Sequence, residues 1–534
     1  MTGMIVAPQP EAAEAGALVL KRGGNAVDAA IAAAFVQGVV DPLMCGIGGF
    51  GSMQVYMPKR NRHEILEFYA RAPLAATPDM WLDRLRGQSR DGFAFLLEGG
   101  ISEQGHLAVC TPGNVRGYAE ALSRYGTIGW EEAMAPAIAE ARRGVMVRPH
   151  MHWFWTQDQS ASGQVNTADK LRLSATGRRV FFREDGGPKR PGDILHNPDL
   201  TRTLERLAKG GPELFYNGEL AEEIEADFIA QGGLLRREDL AAYRLSVAQP
   251  IWGEYRGHRI ATSPPPASGL SMLQILQMLE PFDLGALEHN SAGHVRLLAE
   301  AMKRMTLDKD RHMGDPDYVD VPVARLLSKE YAAEQAEAIR RGERAVVKRL
   351  DRSQRETTHL SVVDAEGNAV AMTHTLGSPS GAITEGLGFM YNGTMSRFDP
   401  RPGRAASIAP GKRRASSAAP SIVFKEDKPF IVIGAPGGSY IAPAIAQGIM
   451  NVIDFGMSMA EAVAAPRIVA VSDSIDVSNR VPRFVTEALQ AEGYDVKRSW
   501  QSYAFAALHG ILLRDGVPQG GADPQRDGMA LGVR

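Results

Sequence analysis

Between residues 9 and 40 the apolar positions fall into two helical runs. PEAAEAGALVLKR is followed by Gly23-Gly24, which predicts a helix stop. Asn25 is placed to cap the second run, AVDAAIAAAFVQGVV, where Val27, Ala30, Ile31, Ala34 and Phe35 recur at helical spacing. Its alanine richness predicts a helix packed closely on both sides. Two short strands are predicted next, near SMQVYM and EILEFY, with the polar turn PKRNRHE between them. From 110 to 350 the pattern is mostly helical. AEALSRYG, WEEAMAPAIAEARRG, NPDLTRTLERLAKGG and GELAEEIEADFIAQGG each end in or near glycine, and SPPPASG (263–269) interrupts the series. The arginine-rich segment 337–356 predicts an exposed helix and linker.

At residue 357 the texture changes. TTHLSVVD has the β-branched content of a strand, AEGN is a turn, and AVAMTHT is the returning strand. SIVFK and PFIVIG flank the turn EDKP, and AALHGILLRDGVPQGGAD predicts a further hairpin. No internal repeat or low-complexity tract is present.

Composition narrows the classes. The chain has 534 residues, 44% hydrophobic and 23% charged, the balance of a globular protein with a large core. A net charge of −3 gives no global field for nucleic acid or anionic membrane. Cys45 and Cys110 are too few for a disulfide scaffold and lack zinc-site spacing. The start, MTGMIVAPQPEAAEAG, does not read as a secretory signal, and no stretch reaches the ~18 apolar residues of a membrane span. Cytoplasm is the expected compartment.

Thr357 ends the charged linker and opens an apolar strand. Cutting Glu356–Thr357 would give one residue both a hydroxyl nucleophile and a free α-amine. A hydroxyl needs a base. An α-amine, with a pKa of ~7.7–8.0, is partly neutral at working pH and serves as one. On β-propensity alone, Thr-Thr before a strand is ordinary strand. GAPGGS (434–439) directly follows the apolar strand FIVIG. Its glycines allow backbone N–H groups to approach a developing oxyanion, or simply make a tight strand-to-helix turn.

Other patterns carry less. GIGGFG (46–51) matches a dinucleotide fingerprint formally, but helix precedes it and strand follows, the reverse of that fingerprint. Close backbone packing near a site is the better reading. His150 and His152 in PHMHWFW lack a third metal ligand, so a packed aromatic helix is expected. The basic run Arg397, Arg401, Arg404, Lys412, Arg413 and Arg414 lacks, apart from Phe398, the interleaved aromatics of a nucleic-acid site. It reads as a solvated loop, or as one partner for an acidic substrate. Asn392-Gly393-Thr394 is a glycosylation sequon without a secretory signal.

Twelve segments in order resemble the γ-glutamyltransferases and their acylase-like relatives over nearly the full length. They include GGNAVDAAIAAAF, GIGG, TPGNVRGYAEAL, GPELFYNGELAEEI, SPPPASG, TTHLSVVDAEGNAVAMTHT, PGKRRASSAAPSIV, GAPGGS and GGADPQRDG. The resemblance implies an α+β fold, the four-layer αββα sandwich of N-terminal nucleophile hydrolases. It implies self-cleavage before Thr357 into a large chain 1–356 and a small chain 357–534, forming one composite fold. Thr375 falls where the family places a second threonine bonded to the nucleophile. Gly437 and Gly438 match the oxyanion-hole glycines, and Ser416 and Ser417 the serine pair that contacts the substrate carboxylate. No metal or organic cofactor is implied.

Three departures concern the substrate. The family's carboxylate-binding arginine, in R-E-x-A-P, is Tyr69 here, in Y-A-R-A-P, with Arg71 two residues on and so on the same strand face. The aspartate that holds the substrate ammonium is Arg397, a cation that favours an anion. Gly377 stands for a substrate-binding asparagine. The stretch between Phe398 and Lys412 is also short for the lid loop of some members. The expected function is hydrolysis, through an acyl-enzyme, of a small amide that also carries a carboxylate, of oxamate or acylase type. The alternatives are a γ-glutamyltransferase or glutathione hydrolase, and a catalytically silent member acting as a scaffold. The expected partner is the small-molecule amide, with no nucleic acid and no membrane. The processed chains are expected to associate, a dimer of heterodimers being one assembly left open.

Overall fold

The computed structural model describes residues 3–89, 92, 94–160, 163–348, 357–501 and 505–534. The strands of its two large sheets, in chain order, are β1 (Gly3–Ala7), β2 (Phe50–Met57), β3 (Arg62–Phe68), β4 (Ser246–Ala248), β5 (Ile251–Tyr255), β6 (His258–Thr262), β7 (Thr358–Val363), β8 (Ala369–Thr375), β9 (Ser421–Lys425), β10 (Lys428–Gly434), β11 (His509–Arg514), β12 (Val517–Ala522) and β13 (Met529–Val533). One antiparallel sheet has seven strands in the order β13-β1-β7-β8-β2-β3-β4. The other has six, ordered β12-β11-β10-β9-β6-β5.

The two sheets pack face to face. Met4, Val6, Val363, Ala369 and Ala371 of the first meet Ala261, Ile422, Phe424, Val432 and Ile511 of the second. The opposite face of each sheet is covered by helices. On the first lie α1 (Pro10–Lys21) and α2 (Ala26–Val40), packed with Ile5, Leu360, Val362, Val370 and Met372. On the second lie α3 (Gly269–Leu279), α4 (Ala292–His312) and α5 (Ile441–Ile453), packed with Ile260, Val423, Ile431 and Ile433. This is the four-layer αββα sandwich expected. Each large apolar side chain so buried contributes roughly 1.5–3 kcal/mol.

The alanine-rich run behaves as its composition predicts. Every residue of α2 except Gly38 is buried, between the sheet and the helix Trp130–Arg143. Asn25 caps it, accepting from the amides of Val27 and Asp28 while Asp28 accepts from the Asn25 amide. The 357–375 hairpin pairs as predicted, from Thr358 with His374 to Val363 with Ala369. Helix Pro149–Thr156 buries Met151, Phe154 and Trp155, as expected of an aromatic packing helix. Both cysteines are buried and unpaired. Among the described residues no helix is long and apolar enough to cross a membrane.

Two expectations are corrected. Strand β1 was not predicted, although its five residues are buried between β13 and β7. The basic run is not a solvated loop. Arg397, Lys412, Arg413 and Arg414 are all buried, Arg401 is half-buried, and of the six only Arg404 is exposed. Arg413 is held by Glu67 and Asp315, and Lys412 by the carbonyls of Ala405 and Ser407.

Candidate active site

Strand alternation sets the site. Thr358 points outward, where the Gln37 amide donates to its hydroxyl at 2.9 Å. His359 points inward between the sheets, against Thr373 of β8 at 2.8 Å. Thr357, two residues before His359, therefore shares the inward face. Extending the hairpin register by one pair places Thr357 opposite Thr375. The Thr375 hydroxyl donates to Thr357 Oγ at 3.4 Å and accepts from the Gly377 amide at 2.7 Å. Thr357 is 5% exposed and Thr375 6%.

The row continues across the sheet. Phe50 of β2 pairs with Thr375, and extending the β2–β3 register places Tyr69 opposite Phe50. Thr357, Thr375, Phe50 and Tyr69 thus line one edge of the inter-sheet space. GIGGFG lies here as close-packed backbone. A Cβ on Gly49 would stand 2.4 Å from the Thr375 carbonyl, and one on Gly51 2.6 Å from that of Thr373.

The second sheet contributes the glycine loop. Gly434, ending β10, packs against the His359 ring so closely that a Cβ there would lie 2.1 Å from it. Gly437 (φ +142°) and Gly438 (φ +55°) follow in conformations that favour glycine. A Cβ on Gly437 would lie 2.4 Å from the Ala506 Cβ. The loop leads into the N-terminal end of α5, whose aligned peptide dipoles favour negative charge.

Ser416 is clamped by the SPPPASG segment. Its amide donates to the Pro266 carbonyl at 2.8 Å, and its carbonyl accepts from the Ser268 hydroxyl at 3.0 Å. Ser417 is half-buried beside it. Gly377 has φ +72°, and a Cβ there would stand 2.3 Å from Thr394 Cγ2. Arg397 is buried in the turn Met395–Arg397 near Glu103, whose carboxyl burial raises against the opposing charges of Lys170 and, less strongly, Arg397. Arg71 does not share Tyr69's environment. Strand β3 stops at Phe68, so alternation lapses, and the Arg71 guanidinium donates to the carbonyls of Gly411 and Arg244. Glu356 lies outside the described residues.

Sequence reasoning missed two features. Arg526 donates to the Thr357 carbonyl at 2.9 Å, with its guanidinium over the Phe154 ring. Its only signal was membership of the segment GGADPQRDG. Behind Thr358 runs a buried relay in which Tyr118 donates to His374 Nδ1 and His374 Nε2 donates to Gln37. Burial lowers His374 to about 3, so the ring is neutral.

A family model described as gamma-glutamyltranspeptidase matches residues 12–533. The chain belongs to the gamma-glutamyltranspeptidase family. As a member it is a hydrolase of the N-terminal nucleophile type. An acylase ACY 1 proenzyme of Pseudomonas sp. (strain V22) is 37% identical, over 99% of this chain and 93% of its own. A glutathione hydrolase proenzyme of Bacillus subtilis (strain 168) is 33% identical, over 99% and 91%. The crystal structure of cephalosporin acylase from Bacillus halodurans superposes with a TM-score of 0.87 at 30% identity, covering 99% of this chain and 95% of that one. The sandwich described above is therefore that of a gamma-glutamyltranspeptidase family member along its whole length.

Proposed function

We propose that the chain cuts itself between Glu356 and Thr357 and then cleaves an amide whose acyl group carries a carboxylate. In the first step the Thr357 hydroxyl adds to the Glu356 carbonyl and the peptide nitrogen leaves. The resulting ester is hydrolysed by water, freeing the Thr357 α-amine and a Glu356 carboxylate. Residues 1–356 and 357–534 remain together as one sandwich. In turnover the α-amine takes the hydroxyl proton, Thr357 Oγ attacks the substrate carbonyl, and the leaving amine departs with a proton. Water then resolves the acyl-enzyme. Gly437 and Gly438 supply the amides for the oxyanion. The observation that carries this reading is the placement of Thr357 Oγ 3.4 Å from the Thr375 hydroxyl at the open end of the hairpin.

Substrate choice rests on the replaced positions. Tyr69 and Arg397 stand where a γ-glutamyl site needs a cation and an anion, which disfavours a zwitterion and favours an acid amide. The retained Ser416–Ser417 pair supports a second reading, γ-glutamyl hydrolysis or transfer. Two measurements test both. A denaturing gel is expected to show two bands that become one in Thr357→Ala; a single permanent band in the native chain supports a silent scaffold. Steady-state assays are expected to favour acid amides lacking an α-amine over γ-glutamyl anilides and glutathione. The reverse preference overturns the acid-amide reading.

A further inference from the structure

The two adjacent arginines 413 and 414 have opposite surroundings. Arg413 is saturated by carboxylates, Glu67 at 2.9 Å and Asp315 at 2.6 Å. Arg414 is 3% exposed, and among the described residues no carboxylate pairs with it. Its Nε and Nη1 are buried without hydrogen-bond partners. The guanidinium lies over Phe50, with Cζ 4.7 Å from the ring centroid. Its polar neighbours are Cys110 and Tyr69, both un-ionised because burial pushes their pKa values up. Burial lowers Arg414 to about 10, so it stays a cation at neutral pH. A buried cation without a counter-charge costs several kcal/mol by order of magnitude, a cost that an anionic ligand offsets.

The guanidinium also faces the reacting row. Nη1 lies 3.3 Å from the point a Cβ of Gly377 would occupy, which sets the guanidinium against that glycine. Gly377 is the residue whose amide holds Thr375 against Thr357. At Tyr69 the family's strand-borne arginine is missing. Arg414 brings a guanidinium to the same neighbourhood from the facing segment, its backbone amide donating to the Ala70 carbonyl at 3.3 Å.

We propose that Arg414 is the receptor for the acyl-group carboxylate, and that its distance from Thr357 sets the acyl length. The proposal rests on the acid-amide reading above. Arg414 stands over the second strand from Thr357, roughly 10 Å away at ~4.8 Å per strand. With ~3 Å taken by a hydrogen bond at one end and ~3 Å by nucleophilic attack at the other, about 4 Å remains. That span matches the separation of reacting carbonyl and carboxylate in a four-carbon acyl group, is met by a five-carbon one when its chain folds, and exceeds an oxalyl group.

The test uses the self-processed enzyme and four p-nitroanilides: oxalyl, succinyl, glutaryl and valeryl, the last carrying a methyl group where glutaryl has its carboxylate. The native enzyme is expected to prefer succinyl or glutaryl in kcat/KM by tenfold or more over oxalyl and by about a hundredfold or more over valeryl. In Arg414→Met the glutaryl-to-valeryl selectivity is expected to collapse about a hundredfold, mostly through KM, the scale for losing one partner of a buried charge pair. Arg414→Lys keeps the charge but loses the planar fork, and is expected to lose about tenfold. It decides the matter should the methionine form fail to fold, which the two-band gel reports. A native enzyme indifferent to the carboxylate overturns the acid-amide reading itself. A native preference that survives in the variants overturns Arg414 as receptor. A native preference for oxalyl overturns the assignment of length.

Discussion

Thr375 Oγ stands between two partners, accepting from the Gly377 amide at 2.7 Å and donating to Thr357 Oγ at 3.4 Å. Its proton is therefore directed at the oxygen that attacks in the mechanism proposed above. The amide polarises the Thr375 hydroxyl, and that hydroxyl in turn stabilises negative charge developing on Thr357 Oγ. The contact is longer than the 2.5–3.0 Å usual for a hydroxyl pair, and catalytic bonds commonly tighten as charge develops.

Thr375→Val keeps the shape and removes this donor. It is expected to lower kcat about 10–100-fold with little change in KM, because the hydroxyl touches the proposed nucleophile rather than the substrate. The proposed self-cleavage, assigned to the same oxygen, is expected to slow in parallel. Thr375→Ser should retain most of both. Rates come from steady-state assays and from a gel time course. Native rates in the valine variant would remove Thr375 from the mechanism.

The hairpin that creates this contact was legible in the residues themselves. TTHLSVVD-AEGN-AVAMTHT carries β-branched residues on both sides of a polar turn, and its register alone brings Thr357 to Thr375. Strand β1 was not legible, since GMIVA is five residues long, buried on both faces and without alternation. Nor was the fate of the basic run. Charge density along a chain predicts solvation only while counter-charges stay local. The partners of Arg413, Glu67 and Asp315, lie far off in sequence. Arg414 stacks on Phe50, and only the folded register of β2 brings that ring to the site.

Restoring the family's asparagine at Gly377 is expected to fail. The backbone there, at φ +72°, tolerates Asn better than most residues, but the Cβ would meet Thr394 Cγ2 at 2.3 Å. Gly377→Asn should cost about 1–3 kcal/mol, the range for overpacking, without gain of γ-glutamyl activity. Adding Thr394→Ser removes that methyl group and keeps the hydroxyl that donates to Asn392 at 2.8 Å. The double variant should recover much of the loss. Denaturant midpoints measure it, and equal stability of the single variant and the native protein would refute the clash.

Arg526 fixes Thr357 from behind, its Nη1 bonded to the Thr357 carbonyl at 2.9 Å. Arg526→Met should preserve contact with Phe154 and lose that bond. A charge-assisted hydrogen bond of this kind contributes about 1.5–3 kcal/mol. The expected result is lower stability together with a kcat reduced about tenfold or more, since slight misplacement of a nucleophile costs on this scale. A melt and a rate taken on the same preparation check both. Lost stability with native kcat would make Arg526 a packing residue only.

Acid should destabilise the fold through its buried histidines. Burial lowers His374 and His509 to about 3, and His63 and His294 to about 4. Unfolded, each titrates near 6.5. Between these values the unfolded chain binds protons that the native chain does not, so stability rises with pH. The contribution is fully present above about 6.5 and is lost as pH falls, each such histidine removing about 1.4 kcal/mol per pH unit. His150 runs the other way. Asp41 and Asp527 raise it, so its contribution is present below about 6.5 and lost as pH rises above that value. The lowered group is the larger, so the denaturant midpoint should fall once pH drops below about 6.5 and keep falling to pH 5. His294→Gln should flatten that slope by about one proton, since His294 serves the fold by accepting the Asn290 amide at 2.9 Å, away from the nucleophile. A midpoint unchanged over this range would mean that these rings take up protons in the native state as readily as in the unfolded one.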